Sequence, residues 1–224
     1  MTQTRRTQQM RREGTIGKLV ASAIDCINEL GYQGASVQII CQRAEMSQGA
    51  LFRHFATKNE LMKLVHSRTV DLLFDRAAAD LAALPAQTPD EDKLLCMLRA
   101  MVAERYYVVL MELMMAARTQ PELAILLAGD ATHQRDRFIA LLGTYFPAYA
   151  GNSEFVAMTL TMSTTYHGMS LYGALANSAG GSDPMPLREQ WLQTILHQEL
   201  ARIARKGADT ANPVYEVPVP APLD

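Results

Sequence analysis

Ser47, Gln48, Gly49 and Ala50 are small or polar neighbours, followed one turn later by Arg53 and His54. That order suits the N-terminal end of a helix that enters a DNA groove, because bulk there would hold the backbone away from base edges. Gln48 carries the paired donor and acceptor that match an adenine edge. Gly49 and Ala50 permit close approach, and the Ala50 methyl suits a thymine methyl. Arg53 and His54 stand where phosphates or guanines would lie. Lys58 falls in the first turn of the next helix, where an ammonium beside exposed N–H groups makes a phosphate clamp. An ordinary helical hairpin with a solvated polar face would also use these residues. No catalytic pattern competes with either reading. A glycine-rich phosphate loop, an H-E-x-x-H helix and a nucleophile elbow are all absent from the sequence. His133 and His167 have no partner at metal-ligand spacing, so no metal or other cofactor is expected, and the chain is not read as an enzyme.

The elements that must position these residues all read as helices, so the expected fold is all-α with about nine of them. Ile16, Leu19, Val20, Ala23, Ile27 and Leu30 form one stripe, and Gly31 follows as a C-terminal cap. Ser36 is an N-cap before Val37, Ile40, Cys41 and Ala44. The pattern breaks at Glu45-Met46-Ser47, and Ser47 caps a short third helix to His54. Thr57 and Glu60 have capping-box spacing and open a fourth helix to about Leu84, before Pro85. Asp90 to Glu104 and Tyr106 to Arg118 read as the fifth and sixth. Pro121 opens a seventh that ends near Phe146. Ser153 caps an eighth, through Asn177, and the ninth runs from about Pro186 to Lys206. Two short helices separated by three residues, at about 36–55, have helix-turn-helix dimensions.

Composition narrows the class. The 224 residues are 49% hydrophobic and 20% charged with net charge −2, enough to bury a core. The charge is uneven: residues 1–63 carry nine Lys/Arg against five Asp/Glu, and the acidic excess lies beyond them. A basic quarter hints at an anionic partner. No apolar run approaches the ~18 residues of a membrane span. The start is Arg-rich without an apolar core, unlike a secretory signal. Three well-separated cysteines, Cys26, Cys41 and Cys96, suit neither a disulfide framework nor a zinc site. A reduced, cytoplasmic protein is expected.

The run from Ser36 to Leu61 resembles the DNA-binding motif of the TetR family of bacterial transcriptional regulators. Its specific pieces are Ser47-x-Gly49-x-Leu51, His54-Phe55 and Thr57-Lys58-x-x-Leu61, with Gly31-Tyr32 fitting ahead of them. The resemblance covers about Thr15 to Val65. It implies a DNA-contacting set of Ser36, Gln38, Ser47, Gln48, Gly49, Ala50, Arg53, His54, Thr57 and Lys58, and a palindromic double-stranded operator as partner. Three residues depart from the family pattern. Cys41 replaces a usual alanine and is small enough to pack. Glu45 replaces a common glycine at a turn position that often needs positive φ, at a cost of ~1 kcal/mol. Phe52 replaces a common tyrosine and lacks the hydroxyl that contacts phosphate in relatives.

The expected organisation is a flexible basic arm over 1–14, a DNA-binding domain over 15–63, an effector-binding and dimerisation domain over 64–206, and a Pro-rich disordered tail over 207–224. The arm, with Arg5, Arg6, Arg11 and Arg12, would either reach a minor groove or phosphates, or only aid solubility. The eighth helix is apolar nearly all round, and a helix with two apolar faces must be covered on both. Ser170, Gly173, Ala174 and Asn177 would allow close helix approach, and Trp191, Leu192, Ile195, Leu196, Leu200 and Ile203 line the ninth helix. The resemblance implies that these two helices form a homodimer interface; an internal core is the other use for the same stripes. Met97, Met101, Met111, Met114, Met115, Met158 and Met162, with Tyr107, Phe138 and Tyr166, would suit an adaptable pocket for a small apolar effector, or plain core packing. Glu112, the sole charge between Tyr106 and Ala117, is expected to face water, the alternative being a cationic ligand. The function expected is a ligand-released repressor. The alternatives are an effector-independent DNA-binding protein, or a helical small-molecule-binding protein or enzyme.

Overall fold

The computed structural model describes residues 2–178 and 185–206, with side chains over 9–172 and 186–206. Among these residues there are ten α-helices, one 3-10 turn and no strand: α1 (Thr2–Gly34), α2 (Val37–Arg43), α3 (Gln48–Phe52), α4 (Lys58–Ala82), α5 (Asp90–Ala103), α6 (Arg105–Ala117), α7 (Pro121–Ala128), α8 (Ala131–Tyr145), the turn Pro147–Tyr149, α9 (Ser153–Ser178) and α10 (Met185–Lys206).

The helix count and the N-terminal arm differ from the sequence reading. The expected seventh helix is two, α7 and α8, separated by a turn at Gly129-Asp130, where the Asp130 N–H bonds the Leu127 carbonyl three residues back. Gly129 itself keeps right-handed helical angles, φ −63 and ψ −16, while the Asp130 carboxylate turns to His66. The backbone from Thr2 is helical where a flexible arm is expected. Residues 9–15 show why: Gln9 donates to Glu13 at 3.0 Å, and Thr15 donates to the Arg11 carbonyl at 2.9 Å, both one turn apart. Arg5, Arg6 and the tail over 207–224 have no described side chains.

The chain divides into two compact units. The first comprises residues up to 73 with 105–134, and the second comprises 74–104 with 135–206. Packing therefore groups α6 and α7 with the N-terminal helices, although chain order separates them. One apolar cluster joins them: Leu19, Ala23 and Ile27 of α1, Ile40 and Cys41 of α2, Leu51 of α3, Leu61 and Val65 of α4, Val109 and Leu113 of α6, and Leu123 of α7. In the second unit α5, α9 and α10 pack on one another. Phe146, Phe155 and Tyr149 form an aromatic group there, with ring centroids 5.6 and 4.7 Å apart. The buried Asn152, not Ser153, caps α9, accepting the Phe155 N–H at 3.0 Å.

The turn between α2 and α3 has the expected strain. Glu45 has φ 55, the one non-glycine positive φ among the described residues. The Met46 N–H reaches the Cys41 carbonyl at 2.9 Å and the Glu45 N–H reaches the Gln42 carbonyl at 3.2 Å. These are the two bonds of a Schellman motif, whose left-handed position favours glycine. Glu45→Gly is expected to raise stability by up to about 1 kcal/mol, read as a higher urea midpoint. A lower midpoint would show that the Glu45 side chain contributes more than its backbone costs.

Candidate nucleic-acid interface

The helix-turn-helix is built from its caps. Ser36 Oγ accepts the Ile39 N–H at 3.2 Å, and Ser47 Oγ accepts the Ala50 N–H at 3.1 Å. Each hydroxyl satisfies a donor that a helix start leaves open. Leu51 and Phe55 are buried and set the rotation of α3. Gln38, Ser47, Gln48, Gly49, Arg53 and Thr57 are then exposed, while Ser36, Ala50, His54 and Lys58 are half-buried. Phe52, without a hydroxyl, is 48% exposed on the same helix. At Gly49 a Cβ would meet nothing closer than Ser47 Oγ at 3.9 Å. The chain's own packing therefore does not require a glycine there.

Thr57 Oγ1 accepts the Glu60 N–H at 3.2 Å, and Glu60 reaches back to the Ala56 N–H at 2.7 Å. That is the expected box, with the return bond displaced one residue upstream. Arg43 forms a forked pair with Glu29, which ties α2 to α1 and holds the Glu29 carboxyl below its ordinary range. Arg105 pairs with Asp25 and ties α6 to α1.

Lys58 is not simply a free clamp. Its Nζ lies 3.4 Å from the Tyr32 carbonyl and 4.2 Å from the centre of the Tyr32 ring. Burial pulls its pKa below the ordinary lysine range, with no carboxylate to offset the desolvation. Tyr32 is itself buried and held from two directions. Its N–H donates to Glu112 Oε2 at 2.8 Å and its hydroxyl to Gln120 Oε1 at 3.0 Å. Glu112, expected to face water, instead turns its carboxylate to the α1 backbone just past the kink at Gly31. Next to it, Gly31 adopts φ 70 and ψ 170, a region open essentially to glycine alone, and a Cβ there would sit 3.2 Å from Glu112 Oε2. Neither Glu112 nor Gln120 is among the sequence-derived site residues, because they lie 80 and 88 positions from Tyr32.

The expected effector residues do not form one set. In the first unit Tyr107 and Met111 are half-buried, but Met114 and Met115 are 53% and 62% exposed, so they line no interior of that unit. The buried face of α6 is Val109, Leu110, Leu113 and Ala116. Tyr107, Leu110, Met111 and Met114 also repeat at helical spacing, but on a helix apolar on nearly every side that stripe does not single out the buried face. In the second unit Met97, Met101, Phe138, Met162 and Tyr166 are buried and Met158 half-buried. Burial pushes the Tyr166 phenol up, opposed by Arg99 beside it, without closing a hydrogen bond of good geometry.

The expected dimer residues also separate. Leu192, Leu196, Leu200 and Ile203, expected on the dimer interface, are buried within the chain's own packing. They repeat at steps of four, four and three, the stripe by which α10 packs on α5 and α9. Outward-facing instead are Trp191, 64% exposed, with Leu187 on the same helix, and Ser170, Leu171 and Tyr172 on α9. Ile195 is half-buried, and Gly173, Ala174 and Asn177 lie outside the described side chains. Among the described residues no group of His, Cys, Asp and Glu could hold a metal ion, and no helix is long and apolar enough to cross a membrane.

Residues 19–65 match the family model for bacterial regulatory proteins of the tetR family. Over 118 residues the chain is 41% identical to an uncharacterized HTH-type transcriptional regulator of Mycobacterium tuberculosis. That match spans 53% of this chain and 60% of the relative's length. The HTH-type transcriptional regulator CymR of Pseudomonas putida is 32% identical over 143 residues, 62% of this chain and 68% of CymR. Two solved structures share the fold. The multidrug binding protein EbrR, complexed with ethidium, has TM-score 0.58 at 18% identity, covering 82% of this chain and 96% of that one. GusR of Salmonella enterica has TM-score 0.55 at 21% identity, covering 86% and 96%.

Proposed function

The chain belongs to the TetR family of bacterial transcriptional regulators, and from that premise we propose that it binds a palindromic duplex operator as a homodimer and represses from it in the cytoplasm. The observation that carries this is the outer face of α3. Gln48 is exposed, Gly49 faces open space, and the buried Leu51 fixes which side looks outward. A helix with such an end can enter a major groove and bring backbone close to base edges. Gln48 reads a base there, and Lys58 supplies charge to a phosphate at the start of α4.

Release by a small apolar or cationic molecule is the second part of the proposal. Its motives are the methionine-rich second unit and a fold neighbour that is a multidrug binding protein complexed with ethidium. Regulation without an effector is the other reading, and one observation favours it: Met97 is fully buried by packing, while Met114 and Met115 face outward. Titrating operator-bound protein with a panel of apolar cations separates the two, since a coupled ligand must lower DNA affinity and be bound more weakly by the DNA complex, by one factor.

Selection of duplexes from random DNA by the wild-type protein supplies the operator, and two variants then test the division of roles. Lys58→Ala should weaken binding about equally on all sequences and reduce the slope of log affinity against log salt by about one. Gln48→Ala should relax preference at one position of each half-site, by about 1–3 kcal/mol for the preferred base. Equal losses from both changes on every sequence would contradict the assignment.

A further inference from the structure

We propose that Glu112 is a positioning residue for the Lys58 ammonium and acts on it through Tyr32, so that the seating of α6 against α1 sets how well the first turn of α4 holds a DNA phosphate. The inference rests on the DNA-binding reading above. Three elements meet on one residue. Glu112 of α6 accepts the Tyr32 N–H, Gln120 just before α7 accepts its hydroxyl, and Lys58 of α4 reaches its carbonyl and ring face. The N–H bond fixes the Gly31–Tyr32 peptide on one side of the residue, and the hydroxyl bond fixes the ring plane. The ammonium rests on that ring and on the carbonyl of the next peptide, Tyr32–Gln33, whose place follows from the anchored Tyr32 Cα.

The carboxylate also occupies the space that the absent Gly31 side chain leaves, so it supports the unusual backbone just ahead of Tyr32. Among the described residues Lys58 has no carboxylate partner, and its carbonyl contact is long at 3.4 Å. An ammonium has three donors. One is engaged weakly, and the others are left for an anion brought to that site. Without the Tyr32 platform the long side chain regains its rotamers, and a phosphate must then order it. Plain electrostatics predicts the opposite sign for loss of Glu112. Removing a carboxylate near a phosphate site should tighten DNA binding.

The test is a double-mutant cycle on the full chain, using the duplex selected by the wild-type protein and anisotropy titrations at several salt concentrations. Glu112→Leu should weaken binding about threefold or more, and Lys58→Ala made in that background should cost at least about threefold less than in wild type, as for residues in one network. Glu112→Gln keeps an oxygen toward the Tyr32 N–H and should stay within about twofold of wild type or bind tighter. Tyr32→Phe keeps ring and backbone but frees the ring from Gln120. It covers a Glu112→Leu chain that fails to fold, and should also shrink the Lys58→Ala effect. Strictly additive losses overturn the proposal, as does Glu112→Gln behaving like Glu112→Leu. A wild-type protein that selects no duplex defeats the DNA reading itself. One that selects a duplex yet is indifferent to Lys58→Ala defeats this inference alone.

Discussion

Leu51→Ala is expected to cost about 2–5 kcal/mol of stability, the range for deleting a fully buried leucine, and to remove duplex binding even at temperatures where the protein stays folded. Helix α3 has five residues and is far too short to hold itself. Its one buried side chain is Leu51, which lies in the cluster with Ile40, Cys41 and Phe55. Truncating it leaves a cavity under the helix and frees the rotation that points Gln48 and Gly49 outward. Phe52→Ala, one residue on, removes a half-exposed ring and should change stability by no more than about 0.5 kcal/mol. Thermal unfolding of the two variants, with DNA titrations below the lower midpoint, makes the comparison. If Leu51→Ala lost under 1 kcal/mol and bound DNA normally, α3 would have to be held by its caps alone.

The second large effect is expected at the corner between α7 and α8. Asp130 Oδ2 lies 2.8 Å from His66 Nδ1, and the two side chains are 13% and 5% exposed. Asp130→Leu removes the partner of a buried imidazole nitrogen and should destabilise by about 1–3 kcal/mol. Asp130→Asn keeps an oxygen in place and should lose clearly less. If both lose the same amount in urea unfolding, the carboxylate charge is what the site requires, not the hydrogen bond. The exposed pairs Arg43–Glu29 and Arg202–Glu154 offer a contrast, since solvent screens such pairs and they hold orientation more than stability.

What the sequence disclosed about this chain was local. Ser36, Ser47 and Thr57 are caps because a short oxygen-bearing side chain at those offsets can reach an N–H three residues on. The strained position at Glu45 is legible for the same reason: a helix end, a turn and a missing glycine are all within a few residues. The boundary between α5 and α6 is likewise placed within a residue. Partnerships across long separations were not legible. Glu112 looks like a lone charge on an apolar helix until α6 is laid beside α1. Trp191 and Leu192 are adjacent apolar residues on α10, and only packing shows that the second is core and the first is not. The break at Gly129-Asp130 had a signal, glycine followed by an acid, but flanking apolar residues on both sides outweighed it.

Cys26 and Cys41 lie in the first unit's core, one on α1 and one on α2, with essentially no exposed surface. Burial raises both thiols above the ordinary cysteine range, so in the closed state neither offers much thiolate or any path for a reagent. An alkylating probe must wait for the cluster to open. When reclosing is fast, the labelling rate at each follows the equilibrium of opening; when reagent is abundant, it follows the opening rate itself. Cys41, an ornament to packing where alanine would serve, therefore gives the helix-turn-helix a built-in clock. Cys96, half-buried on α5 in the second unit, keeps separate time.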